Sequence, residues 1–165
     1  MTLSRNSVGP TNFTTGRIHF RTCTNGGRLT LGSGTYRQMV LVTNCEVRFS
    51  QGVILEDVVI ATTNTGSNSF NSPSGLQIGR NDNCANGGGA QLVTKGGVRF
   101  AAGLSMYGGQ IIAVGNVEFA ANANGIMGAS IVSGGEISGT SNMDMGFCDG
   151  GMADNFEANY FRLAI

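Results

Sequence analysis

A short strand pattern recurs along the sequence at intervals close to 20 residues. Val98, Arg99 and Phe100 return 19 residues later as Val117, Glu118 and Phe119. Units this short cannot bury an apolar face alone and must stack on one another. The repeat therefore predicts a β-solenoid in which each unit forms one coil. The copies of the strand are predicted at 18–20, 47–49, 76–78, 98–100, 117–119 and 136–138.

A second β-rich segment accompanies most copies of the repeat. Ile111 to Ala113 lies just before one copy, and similar segments lie at 58–61, 92–94 and 131–133. We therefore expect residues 1–165 to form one all-β domain, a single-stranded right-handed β-helix of about five to six coils. No segment free of glycine keeps a helical period, except a short C-terminal stretch that also alternates as a strand.

The alternation of the repeat predicts which side chains are buried. Val117 and Phe119 share one face of their strand, and Glu118 points to the other. Glycine and asparagine between the strands are typical of sharp corners, because both tolerate positive φ. We predict that the core includes Val47, Phe49, Val98, Phe100, Ile112, Val117, Phe119, Val132 and Ile137.

Two segments depart from the repeat. Residues 62–75, TTNTGSNSFNSPSG, consist almost entirely of turn-forming residues and are predicted to form a loop that protrudes from the wall. Residues 152–165 are predicted to cap the exposed edge of the last coil with a strand.

The balance and number of charged residues indicate which kinds of binding partner the chain favours. The chain has 10 basic and 10 acidic residues, and charged residues make up only 12% of it, so nothing favours a nucleic acid or another polyanion. The start has no apolar stretch typical of a signal peptide, and no run approaches the ~18 apolar residues of a membrane span. The chain is therefore either cytoplasmic or a piece of a longer protein.

The cysteines favour the second alternative. Cys23, Cys45, Cys84 and Cys148 are even in number and lack the close spacing of zinc or redox sites. We expect two disulfides and hence an extracytoplasmic location. Of the three pairings, Cys23 with Cys45 and Cys84 with Cys148 is favoured. The second pair spans about three coils, near 14 Å at ~4.8 Å per coil, so it requires a loop folded along the wall.

Candidate chemical groups are sparse. His19 is predicted to point outward without a hydrolytic partner, and no nucleotide-binding glycine motif is present. Glu56 and Asp57 are adjacent and are expected to point apart on a strand. Arg99 and Glu118 are predicted to form an exposed ion pair on adjacent coils, in an outward column with Arg48.

The C-terminal aspartates Asp144, Asp149 and Asp154 could hold a calcium ion in an oxygen-rich turn. They lack the spacing of known calcium loops, so a polar turn is favoured and no metal site is assigned. No cofactor is expected either. Enzymes that cleave acidic polysaccharides need carboxylates and a basic residue around a groove, and the sequence offers little material for one. We therefore expect a non-enzymatic protein.

The sequence from Ser74 onward also resembles a known family. The stretches SGLQIGRNDNCANGGGAQLVTKGGVRF, GGQIIAVGNVEFAANANGIMGASIVSGGEISGTSNMDMGFC and DNFEANYFRLAI are similar to the C-terminal region of TadG-like proteins of Tad (Flp-type, tight-adherence) pilus assembly in alphaproteobacteria. The similarity covers roughly the last 90 residues well and the first 70 loosely. Members typically begin with an N-terminal membrane anchor, which this chain lacks.

The resemblance implies a non-enzymatic module of the bacterial cell envelope in pilus assembly or surface adhesion. Its partners would be other pilus-assembly or envelope proteins, and a membrane only through the missing anchor. The family supplies no catalytic residues. Two alternatives stay open: a small β-helix that binds or degrades polysaccharide, and a phage-tail or adhesin tip. The oligomeric state is also left open.

Overall fold

The computed structural model describes residues 1–82, 85, 87–121, 126–139 and 145–146. These residues form an all-β protein with parallel sheets, a β-solenoid of about 6 turns. The predicted fold class is therefore confirmed. A short 3-10 helix, Pro10–Asn12, connects the first two strands.

Each complete coil has three walls, which we name A, B and C in chain order. Wall A is a seven-stranded parallel sheet, and it contains the recurring V-x-F pattern. Its strands are β1 (Ser7–Val8), β3 (Arg28–Leu31), β5 (Glu46–Phe49), β7 (Phe70–Ser72), β10 (Val98–Ala102), β13 (Val117–Ala121) and β16 (Ile137–Gly139).

Walls B and C belong to one ten-stranded sheet, joined by the long strands β4 (Gly34–Thr43) and β6 (Val53–Thr62). The first part of each long strand lies in wall B and the second part in wall C. Wall B continues with β8 (Gln77–Ile78), β11 (Ser105–Tyr107), β14 (Ile126–Met127) and β17 (Met145–Gly146). Wall C contains β2 (Ile18–Arg21), β9 (Ala90–Thr94), β12 (Gln110–Ala113) and β15 (Ser130–Ser133).

The long strands bend between walls B and C at one position. Gln38 and Asp57 occupy equivalent places in β4 and β6, and both have positive φ, 47° and 52°. This left-handed conformation interrupts the in-and-out alternation and rotates the chain into the next wall. In later coils Gly108 and Gly128 lie at the same corner, with φ of 61° and 59°.

The core is a stack of apolar side chains with phenylalanine rings along wall A. The ring centroids of Phe100 and Phe119 are 6.1 Å apart, and those of Phe49 and Phe100 are 6.5 Å apart. Ser72 occupies the strand position between Phe49 and Phe100, and Phe70 packs beside Phe49 at 6.0 Å. The rings therefore stay in contact across a coil that has no phenylalanine in their column.

A column of hydroxyl groups closes the corner between walls C and A. The hydroxyl of Thr62 accepts a hydrogen bond from Asn64 N at 3.1 Å and donates one to Cys45 O of the preceding coil at 2.7 Å. The turn and the joint between coils are thus held by one side chain. The equivalent positions with the same two bonds are Thr43, Thr62, Thr94 and Ser133.

Two predicted copies of the repeat lie in other walls. Residues 18–20 belong to β2 in wall C, where Ile18 and Phe20 point outward and His19 points inward. In the copy at 76–78, Leu76 and Ile78 are buried in the core as predicted, but the segment leads into β8 and therefore belongs to wall B. The prediction failed here because an apolar pair spaced by two residues is common to all three walls.

The segment predicted as a protruding loop, 62–75, contains the missing strand of wall A. β7 lies within it, and Phe70 is fully buried. The abundance of turn-forming residues concealed a strand of three residues. The predicted cap at 152–165 lies outside the described residues.

Candidate functional site

Charged residues from three coils lie together at the corner between walls B and C. Arg37 Nε donates to Glu56 Oε2 at 2.6 Å, and the side chain of Glu56 is only 12% exposed. This hydrogen bond and the negative charge of Glu56 raise the pKa of Arg37. Arg80 and Asp82 form a second short ion pair. We call these four residues, together with Asp57, the corner cluster.

The carboxylates of the corner cluster hold the chain in place. Asp57 Oδ1 accepts a hydrogen bond from Gly88 N at 2.6 Å, which ties the next coil to the bend of β6. Asp82 Oδ1 accepts one from Ala85 N at 3.1 Å. The pKa of Arg80 is raised first by its hydrogen bond to Asp82 and further by the charges of Asp57 and Glu56. The cluster therefore brings three carboxylates and two guanidinium groups into one electrostatic neighbourhood.

His19 is a second titratable group of interest, and its predicted outward orientation was wrong. The side chain is fully buried, and its Nε2 accepts a hydrogen bond from Thr14 N at 3.0 Å. The ring packs edge-on against Phe13 at 5.0 Å. Burial lowers the pKa of His19, and the nearby terminal ammonium of Met1 lowers it further. The His19 side chain is therefore part of the packing of the first coil.

The disulfide between Cys23 and Cys45 is confirmed. Their Cα atoms are 5.2 Å apart, and the bond connects adjacent coils at the corner between walls C and A. Asn44 strengthens the same joint, since its side chain accepts from Cys23 N at 2.7 Å and donates to Cys23 O at 3.0 Å. Cys84 and Cys148 lie outside the described residues, as do the aspartates proposed for calcium.

The outer face of wall A carries alternating charges. Arg28 and Glu46 form an ion pair at 2.9 Å, and the predicted pair of Arg99 and Glu118 is present at 3.5 Å. Arg48 lies in the same column as Arg99 but is separated from it by Asn71. These exposed pairs contribute little stability and keep this face soluble.

The outer face of wall C has the opposite character. One outward column is apolar in six successive strands, and no outward residue of the described strands of wall C is charged. We call this the apolar column, and it consists of Phe20, Val42, Ala61, Val93, Ile112 and Val132. A neighbouring outward column contains Ile18, Val40, Val59, Gln91, Gln110 and Ser130.

The predicted core residues divide between the two faces. Six of them are buried in wall A: Val47, Phe49, Val98, Phe100, Val117 and Phe119. Ile112 and Val132 were placed wrongly, because both occupy outward positions and are 37% and 52% exposed. Ile137 is in register with Val117 on the inward side of wall A, as predicted, and is 50% exposed because it lies in the last described strand of that wall. In β12 and β15 the inward residues are the neighbours Ile111 and Ile131. An apolar pair such as Ile111–Ile112 makes both faces of the strand apolar, so the sequence of the strand alone does not show which of the two residues is buried.

An open depression of about 260 Å³ lies at the N-terminal end of the solenoid. Arg5 is its charged member, and no carboxylate lines it. Its lining residues are Thr2, Leu3, Ser4, Arg5, Val8 and Asn12. Among the described residues, no group of His, Cys, Asp or Glu is arranged to hold a metal ion.

The three-walled parallel coil defines a β-solenoid protein with one apolar and one charged outer wall. Residues 1–149 match the model of the family described as Domain of unknown function (DUF7867), and the chain belongs to that family. No curated protein and no solved structure matches the chain. In the part of the chain that the structure describes, no helix is long and apolar enough to cross a membrane.

Proposed function

We propose that this protein is a non-enzymatic, extracytoplasmic structural or interaction module associated with Tad-type pilus assembly or surface adhesion. The observation that carries an interaction role is the uncharged outer face of wall C, whose apolar column crosses six strands. Exposed apolar residues in a continuous column are typical of docking surfaces, whereas scattered ones need no explanation.

Two further observations support the proposed extracytoplasmic location and the association with pili. The disulfide between Cys23 and Cys45 favours an oxidising compartment, because such bonds are rare where thiols are kept reduced. The pilus association itself rests on the similarity of the sequence from Ser74 onward to TadG-like proteins. The partners would then be pilus-assembly or other envelope proteins.

Deletion of the gene in its native host tests this function. We expect fewer pili or weaker surface attachment, with normal growth in suspension. Complementation with the unaltered gene should restore attachment, and complementation with Ile112→Arg, which places a charge in the apolar column, should not. Normal piliation and attachment of the deletion strain would remove the pilus assignment.

The corner cluster favours a second function, a β-helix that binds or degrades polysaccharide. It combines carboxylates with arginines, the groups that acid–base cleavage of an acidic polymer requires. Against this, Glu56 is largely covered and the carboxylates already accept hydrogen bonds from the chain. Turnover of pectin, alginate or peptidoglycan by the purified protein, abolished by Glu56→Gln or Asp82→Asn, would establish the enzyme and contradict our proposal.

A further inference from the structure

We propose that wall C is a self-association surface, on which a second copy of this chain packs with its solenoid axis antiparallel to the first. This inference rests on the proposed interaction role and deepens it by naming the occupant of wall C. Four properties of the wall carry it: chemistry, spacing, symmetry and area.

The chemistry of wall C selects an apolar and uncharged partner. The outward residues of its described strands carry no charge, and the apolar column presents no directional hydrogen-bonding group. A charged ligand would lose hydration over these strands without gaining an ion pair from them. The exposed Lys95 follows the end of β9 and borders this face. A second wall C offers the same chemistry and loses only apolar contact with water.

The spacing of the column selects a partner that is itself a solenoid. Adjacent strands place equivalent side chains about 4.8 Å apart, so ridges and grooves alternate at that interval along the wall. A helix or a single strand cannot match this interval over six rows. A second copy has the same interval and can interdigitate over the whole length of the column.

The register of the six rows of the apolar column allows a two-fold axis. The largest exposures in the column lie near its two ends, with Phe20 at 48% and Val132 at 52%. A two-fold axis between the rows of Ala61 and Val93 places Phe20 of one copy opposite Val132 of the other. The same operation pairs Val42 with Ile112, so each apolar residue of one copy meets an apolar residue of the other.

The area of the wall indicates a weak association. Six strands at about 4.8 Å and four residues at about 3.3 Å give a projected face of roughly 29 by 13 Å. This is below the ~800 Å² that each partner buries in a standard interface, even allowing for the corrugation of the side chains. We therefore expect a reversible dimer with a dissociation constant in the micromolar range.

Sedimentation velocity on the full chain tests the dimer directly. From about 5 to about 500 µM, a range suited to weak interfaces, the unaltered protein should shift reversibly from monomer to dimer. Ile112→Arg should weaken the dimer on the order of tenfold or more, because it buries an unpaired charge in both copies. A protein that stays monomeric over the whole range overturns the inference.

A matched control separates wall C from the rest of the surface. Ile54 is also an outward isoleucine, although half-buried, and it lies in wall B between Thr35 and Gln77. Ile54→Arg should leave the dimer unchanged. Equal weakening by Ile54→Arg and Ile112→Arg would assign the effect to charge in general and overturn the choice of wall. Circular dichroism establishes that both variants are folded.

A charge exchange tests the antiparallel direction. Phe20 and Val132 are five coil steps apart in one molecule, about 24 Å at ~4.8 Å per step, so they can meet only between copies. Phe20→Arg combined with Val132→Glu should dimerise more strongly than Phe20→Arg combined with Val132→Arg. Equal affinities for the two combinations contradict the antiparallel arrangement.

The outcomes also distinguish this inference from the proposed function. If the purified protein is monomeric but Ile112→Arg abolishes attachment of the host, wall C binds another protein. The self-association inference then fails and the proposed function stands. If Ile112→Arg dissociates the dimer but gene deletion does not change attachment of the host, the self-association surface stands and the proposed function fails.

Discussion

At the scale of single residues, His19 shows how burial fixes a protonation state. Its Nε2 accepts the hydrogen bond from Thr14 N, which requires the neutral ring with its proton on Nδ1. The rings of Phe13 and Tyr36 form an apolar cluster beside it, and the Met1 ammonium is the charged group that acts on it. Both burial and this charge oppose protonation.

We predict that stability falls as the pH drops below about 6.5, the ordinary pKa of histidine. The folded pKa of His19 is lowered, so the unfolded chain binds a proton that the native state does not. Stability is therefore complete above the unfolded pKa and decreases below it. Urea unfolding at pH 7.5 and 5.5 measures this, with His19→Gln as the control that should remove most of the difference.

Thr62 is a second residue that stabilises the fold, because its hydroxyl group makes two hydrogen bonds at once. Thr62→Val keeps the shape but leaves Asn64 N and Cys45 O without this partner, and should cost about 1–3 kcal/mol of unfolding free energy. Thr63→Val, at the exposed neighbouring position, should stay within about 0.5 kcal/mol. Urea melts that rank the two substitutions equally would contradict the hydroxyl column.

At the scale of strands, wall A shows how alternation separates core from surface. Phe119 is 1% exposed and stacks on Phe100, whereas the side chain of Glu118 is 45% exposed beside Arg99. Phe119→Ala should destabilise the protein by about 3–5 kcal/mol through lost burial and a cavity. Glu118→Ala should change stability by no more than about 0.5 kcal/mol. Chemical denaturation of both variants checks the order.

The sequence predicted wall A well because its strands alternate apolar and charged residues at a constant interval. Wall B was not predicted as a separate wall because strands such as β8 and β14 have only two residues, too few to show a period. In wall C the pair Ile111–Ile112 is apolar on both faces, so alternation could not tell which residue points inward. The register of the neighbouring strands decides this, and it is a property of the stacked coils rather than of any one segment.

The candidate site was less predictable than the fold. The corner cluster joins Arg37, Glu56 and Arg80 from three coils, and nothing in the sequence aligns these positions in advance. The apolar column left a trace in the runs of consecutive apolar residues, such as 39–42. Ile112 and Val132 of this column were predicted as core residues, which is why the outer face of wall C was not anticipated.

At the scale of the whole molecule, stability is distributed coil by coil, because each coil contacts mainly its neighbours. The disulfide between Cys23 and Cys45 connects the coils at the N-terminal end. Replacing both cysteines with alanine should lower the unfolding free energy by about 3 kcal/mol, because the disulfide restricts the conformational entropy of the unfolded chain.

This loss should be local. Hydrogen exchange should accelerate in residues 1–45 of the variant without disulfide and stay unchanged in β10 and β13. Uniform acceleration throughout the described strands would show that the solenoid unfolds as one unit. The unaltered protein under reducing conditions provides an independent comparison with the same expected pattern.

The parallel stacking of the coils also determines how the molecule responds to a mechanical load. The backbone hydrogen bonds between coils run along the solenoid axis, so a pull at the C-terminal end strains them one coil at a time, as in opening a zipper. Each coil of about 19 residues, the spacing of Val98 and Val117, would pay out roughly 65 Å of chain at ~3.4 Å per residue. The peeling would stop at Cys45, where a covalent bond replaces the hydrogen bonds. In the adhesive role that we propose, such stepwise unfolding would lengthen the molecule under a sudden load while the N-terminal coils stay folded.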